Sequence, residues 1–549
     1  MFRAIIFGVL LVNVLGDDEK KIKTVKLDEG EVSGEKYWNG DFYEFYGIPY
    51  ATAPTGRDKF KAPLPPQPWT GVLQANHQKT VCHQTFYTGE ETTEIYLAGE
   101  EDCLVMNLLV PEVASKNNLV PVIVYIHSGA FAAGNGNMAK YHYLAKHDVI
   151  VASFNFRLGA IGFACLGTEE IPGNAGMKDT VAALKWIHKN IKKFGGDRKK
   201  ITLAGFSVGA TMAELLAISK PVNGIIDKLV LESGSALAPY AINRDPISTA
   251  KNIAISIGYN GTGDVESLAE FYLNASSDLL AWKSLNFFLT NSTFGFAPCI
   301  EKNHKNGPFL TESPLDILKR GDYHKMSVLT GFASMEGISR ALKFDDWSEK
   351  MNEKFENFLP ADLVFKDKES QETVIKTIKD YYFKGEKVSQ DTLQGYVDYF
   401  SDSMFKYSSM KSAKLHAANT NRPVYVYEFD YVGELSMKHK FMDKLKGASH
   451  RDQSSYILDF YAFTYNYDDM DMRDRMTSMW SDFVKIENPT AFESPVINYK
   501  WLKYGEKEQN YLNIRTAPVM EKDLFVNGYK FWNNIYEQYY WNPTAVVAK

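Results

Sequence analysis

The chain has 549 residues, 45% of them apolar and 23% charged, with a formal charge of −6. These are ordinary values for a folded soluble protein with a large core. With no long Lys/Arg run there is no reason to expect nucleic acid as a partner, and no internal repeat or low-complexity linker divides the chain.

The first segment, "MFRAIIFGVLLVNVLGDDEKKIK", places one arginine before an apolar run from Ala4 to Leu15, then small Gly16, then charge. This reads as a secretory signal peptide over residues 1–16, too short to span a bilayer. No later run is long and apolar enough for a membrane span, so the expectation is a secreted, extracellular protein. Its mature part, residues 17–549, is read as a single domain. Secretion gives meaning to three sequons free of proline, Asn260 (NGT), Asn274 (NAS) and Asn291 (NST). Their clustering predicts a solvent-exposed, glycosylated face.

Several short runs rich in β-branched residues follow in order: "PVIVYIH" (121–127), "DVIVASFNF" (148–156), "ITLAGFS" (201–207), "DKLVLES" (227–233), "MSVLTGF" (326–332) and "RPVYVYEF" (422–429). Most are continuously apolar, which suits strands buried on both faces of a parallel sheet. Between two of them, "GMKDTVAALKWIHKNIKKFGGD" carries Val181, Leu184, Ile187 and Ile191 at helical spacing, with Gly195 as its stop. Strand and helix alternate as in a βαβ organisation. The fold class predicted is α/β, a central, mostly parallel twisted sheet flanked by helices.

"ITLAGFSVGATMAELLA" (201–217) then sets Ser207 between Gly205 and Gly209 at a strand-to-helix turn. A serine held at such an apex needs small neighbours, or side chains two residues away would collide. The turn presents the hydroxyl to a pocket and aims the Val208 N–H, at the helix start, to the same point. A serine hydroxyl is a poor nucleophile alone; it needs a base, a group orienting that base, and oxyanion donors. Residue types by themselves do not select the base and the acid among 11 histidines and 67 acidic residues.

At this point the chain resembles the type-B carboxylesterase and cholinesterase family of α/β-hydrolases. The matching stretches are "GIPYATAP" (47–54), "EDCLVMNLLVPE" (101–112), "VYIHSGAFAAG" (124–134), "FNFRLGAIGF" (154–163), "ITLAGFSVGA" (201–210), "LESGS" (231–235), "LTGFASMEG" (329–337) and "GASHRDQ" (447–453). The resemblance runs from about residue 37 to 540 and implies an α/β-hydrolase fold. It implies Ser207 as nucleophile, Glu336 as acid and His450 as base, with backbone N–H groups of Gly129, Ala130 and Val208 forming the oxyanion hole. It also pairs Cys82 with Cys103, a loop whose closure is worth roughly 3 kcal/mol in the chain-entropy model. Cys165 and Cys299 match no familiar pair and are read as buried thiols.

The chain departs from the family's pattern at Ser128, at Val208 and at Arg451, directly after the histidine. Relatives that hydrolyse choline esters carry a tryptophan between the first two paired cysteines and a glutamate before the nucleophile. Here Phe86, Tyr87 and Tyr96 lie between Cys82 and Cys103 with no tryptophan, and Phe206 precedes Ser207. Loss of both cation-binding features predicts a substrate pocket, with Phe206 in it, for neutral, apolar carboxylic esters. The function implied is a serine carboxylesterase acting through an acyl-serine on a small-molecule ester. The chemistry requires no cofactor, and no metal-ligand spacing or phosphate loop stands out. The rival class is a binding or adhesion module on the same fold, or a scavenger that sequesters esters. A hormone or pheromone esterase is a specialised form of the first reading.

Overall fold

The computed structural model describes residues 21–546, apart from residues 77, 88–94, 262, 285, 287, 304–306, 438–440, 442, 443 and 461. The expected leader, residues 1–16, lies outside the described residues.

One 13-stranded sheet collects strands from Ile22–Lys26 to Val519–Lys522. Its centre is parallel. Ile150–Phe154, Val120–Ile126, Gly196–Phe206, Lys228–Glu232, Ser327–Ala333, Val424–Phe429 and Asn510–Ile514 lie side by side in that order. Antiparallel strands extend both edges: Val105–Pro111, Phe42–Pro49 and Glu31–Lys36 at one, Val519–Lys522 at the other. All six apolar runs read from the sequence are strands of this parallel centre.

Alternation along those strands builds two cores. Val122, Val124 and Ile126 join Leu203 and the serine helix Val208–Ala217 on one face. Ile123, Tyr125, Ala204, Phe206 and Val230 point to the other, where Met472, Met476, Met479, Trp480 and Phe483 of helix Tyr467–Ile486 cover them. Apolar residues on both faces explain the uninterrupted hydrophobic runs. Helix Ala175–Asn190 is the one the spacing predicts; Leu184 and Ile187 are fully buried. A short 3₁₀ turn, Ile191–Phe194, extends it to Gly195, whose φ of 92° is the left-handed stop that glycine adopts readily.

Register places the site. Gly205 pairs with Ile126 on one side and Leu231 on the other, and Phe206 with Glu232. The residues that follow, His127, Ser207 and Ser233, therefore leave three adjacent parallel strands at the same end of the sheet. Ligand sites of parallel α/β sheets form at that carboxyl end.

Candidate active site

Ser207 occupies the turn with φ 55° and ψ −123°, a positive φ that only a tightly held non-glycine residue adopts. Its N–H donates to Glu232 O (2.8 Å), and its carbonyl accepts from Thr211 N (3.0 Å) one turn into the helix. Two glycines make the turn fit. A Cβ on Gly205 would stand 2.4 Å from the Gly209 carbonyl carbon, and one on Gly209 only 2.3 Å from Ile126 O. Both contacts are impossible for a side chain, so the G-x-S-x-G spacing is steric.

Beyond the hydroxyl, the sheet brings together residues far apart in sequence. His450 Nε2 lies 3.0 Å from Ser207 Oγ, and His450 Nδ1 lies 2.5 Å from Glu336 Oε2. Glu336 is fully buried, and its Oε1 accepts from Ala333 N (2.7 Å) and from Ser233 Oγ (2.5 Å). Gln453 donates in turn to Ser233 Oγ. The imidazole is packed between aromatic rings, with Phe405 at 4.3 Å and Phe206 at 4.6 Å between centroids. In this arrangement a hydroxyl can pass its proton to an imidazole whose other nitrogen is held by a carboxylate.

The glycine-rich loop after strand Val120–Ile126 lies against the start of the serine helix, as the Gly209 contacts with Ile126 O and His127 O record. Gly129 and Ala130 both have positive φ, 123° and 53°. Their N–H groups and that of Val208 donate to no backbone carbonyl among the described residues, as an oxyanion hole requires. His127 fixes this loop. Its Nδ1–H donates to Ser128 O at 2.8 Å, its ring stacks on Phe156 at 4.3 Å, and burial pulls its pKa down to about 4, so it stays neutral.

Sequence reasoning missed three supporting residues: His127, Ser233 and Gln453. Each sits inside a quoted stretch, but its role arises from neighbours on other strands. Arg451 takes φ 88° and stacks its guanidinium carbon 3.9 Å from the Phe460 ring centroid.

Cys82 and Cys103 are joined in a disulfide. The reading of Cys165 and Cys299 as thiols is corrected: they too form a disulfide, across a sequence separation of 134. Asn174 brings the two segments together, donating from Nδ2 to Cys299 O (2.9 Å) and accepting from Cys299 N at Oδ1 (2.9 Å). Between Cys82 and Cys103, strands Gln84–Tyr87 and Ile95–Ala98 pair so that Phe86 faces Tyr96, which is 53% exposed; the side chain of Tyr87 lies outside the described residues. Asn260 and Asn274 are exposed and Asn291 is half-buried. Asn274 is engaged by Arg57, whose Nη1 donates to its Oδ1 at 2.7 Å.

Residues 21–532 match the family described as the carboxylesterase family. The chain is 34% identical to Esterase FE4 of Myzus persicae over 494 residues, 86% of each protein. It is 30% identical to a juvenile hormone esterase of Tribolium castaneum, covering 85% of this chain and 83% of that one. Among solved structures, it is similar to the juvenile hormone esterase of Manduca sexta with OTFP covalently attached. That match has a TM-score of 0.82 and 27% identity, covering 94% of this chain and all of that one. With the α/β-hydrolase sheet and these relatives together, the chain belongs to the carboxylesterase family and is a carboxylic ester hydrolase.

Proposed function

We propose that Ser207 attacks the carbonyl of an ester that is apolar and uncharged around the scissile bond. The observation that carries this is the pair of contacts through one imidazole: Ser207 Oγ to His450 Nε2 at 3.0 Å, His450 Nδ1 to Glu336 Oε2 at 2.5 Å. As Oγ bonds to the carbonyl carbon, its proton passes to Nε2, and Glu336 balances the imidazolium. The N–H groups of Gly129, Ala130 and Val208 receive the oxyanion, each such donor being worth about 2.7–4 kcal/mol of barrier. Collapse expels the alcohol, which takes the proton from Nε2. Water then repeats the sequence on the acyl-serine and releases the acid.

Phe206 supports the exclusion of cationic substrates. Its ring lies against His450, and no tryptophan stands between Cys82 and Cys103, so the two features that would hold a quaternary ammonium are absent. Two disulfides support an oxidising, extracellular setting, with Asn260, Asn274 and Asn291 as glycosylation sites. Among the described residues no helix is long and apolar enough to cross a membrane. The contacts around His450 favour catalysis over the adhesion or sequestering reading, which needs no proton relay.

The test compares kcat/KM for phenyl acetate and acetylthiocholine in the purified protein and in Ser207→Ala. The aryl ester is expected to be preferred tenfold or more, and Ser207→Ala to lose several orders of magnitude of kcat. Near-native turnover by the variant would reject the nucleophile; a preference for the choline ester would reject the pocket.

A further inference from the structure

A cavity of about 780 Å³ lies beside helix Pro246–Ser256, within the roughly 300–1,000 Å³ typical of small-molecule sites. Ser248, Asn252 and Ser256 recur along that helix at four-residue spacing, so they share one face, and all three line the cavity. The side chains of Ser248 and Asn252 form no hydrogen bond among the described residues. Two tryptophans line the same space, Trp282 at 42% and Trp541 at 36% exposure. Flat indole faces beside unengaged amide and hydroxyl groups suit a sugar ring. Its C–H face packs on the indole, and its hydroxyl and acetamido groups exchange hydrogen bonds with the polar wall.

The source of such a ring is built into the wall. Asn291, of the NST sequon, lines the cavity itself. Its carbonyl accepts from Ala361 N at 3.0 Å, and the next residue, Asp362, accepts at its carbonyl from Trp541 N at 2.8 Å. Neighbouring residues of one short segment therefore hold Asn291 and Trp541 beside each other. Arg244 fixes the tryptophan further, donating from Nε to Trp541 O at 2.8 Å. Thr293 Oγ1 donates to Asn291 Oδ1 at 2.7 Å and orients the amide, while Nδ2, the atom that carries a sugar, forms no hydrogen bond among the described residues. The contrast is Asn274, whose Nδ2 donates to Glu270 Oε1 at 2.7 Å and whose Oδ1 is held by Arg57.

We propose that this cavity is a saccharide-binding site occupied by the chain's own N-glycan at Asn291, with the first N-acetylhexosamine units packed against Trp541 and Trp282. This rests on Asn291 being a glycosylation site of a secreted protein, and it adds where the sugar goes. The bond formed joins Nδ2 to the anomeric carbon of the sugar. The bond broken joins that carbon to the diphosphate of a lipid-linked donor, which departs as the lipid diphosphate while the amide releases a proton. The sugar is attached to the unfolded chain and enters the cavity as the fold closes. A single sugar–indole contact is weak between separate molecules, but the covalent link makes this one intramolecular, at an effective concentration of roughly millimolar order.

The test uses the full chain secreted from a eukaryotic host, with glycopeptide mass mapping to read the occupancy of Asn291 and Asn260. Peptide N-glycosidase F is then applied to the folded and to the denatured protein, and sugar release is followed at each site. A seated glycan is open to the enzyme only for the fraction of time it is unseated. Release from Asn291 is therefore expected to be about tenfold or more slower than from exposed Asn260 in the folded protein, and equal to it after denaturation. Trp282→Ala/Trp541→Ala should bring release from folded Asn291 close to that of Asn260, with thermal melting as the folding control. If that variant does not fold, Asn252→Phe, which fills the space from the helix side, carries the same expectation. Equal release from the two sites in the folded wild type, or slow release unchanged in the folded variant, overturns the proposal and leaves Asn291 a glycosylation site. An unmodified Asn291 beside a modified Asn260 removes both the site and its seat, and absence of sugar from every sequon removes them together with the glycosylated reading.

Discussion

Replacing Glu336 by glutamine tests the base's orientation, because the surroundings dictate which way the new amide must point. Glu336 Oε1 receives two donors, the fixed backbone N–H of Ala333 at 2.7 Å and the Ser233 hydroxyl at 2.5 Å. An amide NH₂ in that place would face the Ala333 N–H donor to donor, so the glutamine carbonyl takes the Oε1 position. Its NH₂ then occupies the Oε2 position, 2.5 Å from His450 Nδ1, and donates to it. Nδ1 becomes an acceptor, the imidazole proton moves to Nε2, and Nε2 now points a hydrogen at Ser207 Oγ instead of a lone pair. The base is present but in the wrong tautomer. In a serine-protease triad the corresponding change lowers kcat by about 10⁴, equivalent to roughly 5 kcal/mol of barrier. Glu336→Gln is nearly isosteric, so folding and KM for an aryl acetate should change little. The assay is steady-state hydrolysis of phenyl acetate, with thermal melting as the folding control. A folded variant that keeps kcat within tenfold of the parent would refute the assignment of Glu336 as the orienting acid.

Two further outcomes concern stability. Burial raises the Glu232 carboxyl to about 7; its Oε2 accepts from Ser454 at 2.7 Å and its Oε1 has no partner. Since the folded pKa lies above the unfolded value, the fold favours the protonated acid, and stability is lost as pH rises from about 4.5 to about 7. The linkage amounts to roughly 3 kcal/mol, so the melting temperature of Glu232→Gln relative to wild type should rise between pH 5 and pH 8; a constant difference would contradict it. The second outcome concerns the disulfides. The Cys165–Cys299 bridge closes a loop of 134 residues and the Cys82–Cys103 bridge one of 21, about 5 and about 3 kcal/mol in the chain-entropy model. Cys165→Ala/Cys299→Ala should therefore melt lower than Cys82→Ala/Cys103→Ala. The reverse order, or non-reducing peptide maps lacking the 165–299 link, would count against it.

What the sequence revealed and what it withheld divide along one physical line. The six strand runs were legible because burial on both sheet faces leaves an uninterrupted apolar signal. Ser207 was legible because its glycines answer a clash two residues away, between Gly205 and Gly209. The positions of Glu336 and His450 came from the resemblance; spacing alone could not have chosen them. Cys165 and Cys299 were misread because their pairing depends on Asn174 bracketing Cys299 from another segment, and no local pattern records a contact over that separation. Ser233 and Gln453 were overlooked for the same reason. Their partnership with Glu336 follows from the parallel register that sets strand Lys228–Glu232 between Gly196–Phe206 and Ser327–Ala333. A nucleophile that needs a strained turn must write its requirements into adjacent residues. A supporting contact such as Ser233 or Gln453 needs only a side chain and a neighbour, and the neighbour is supplied by the rest of the fold.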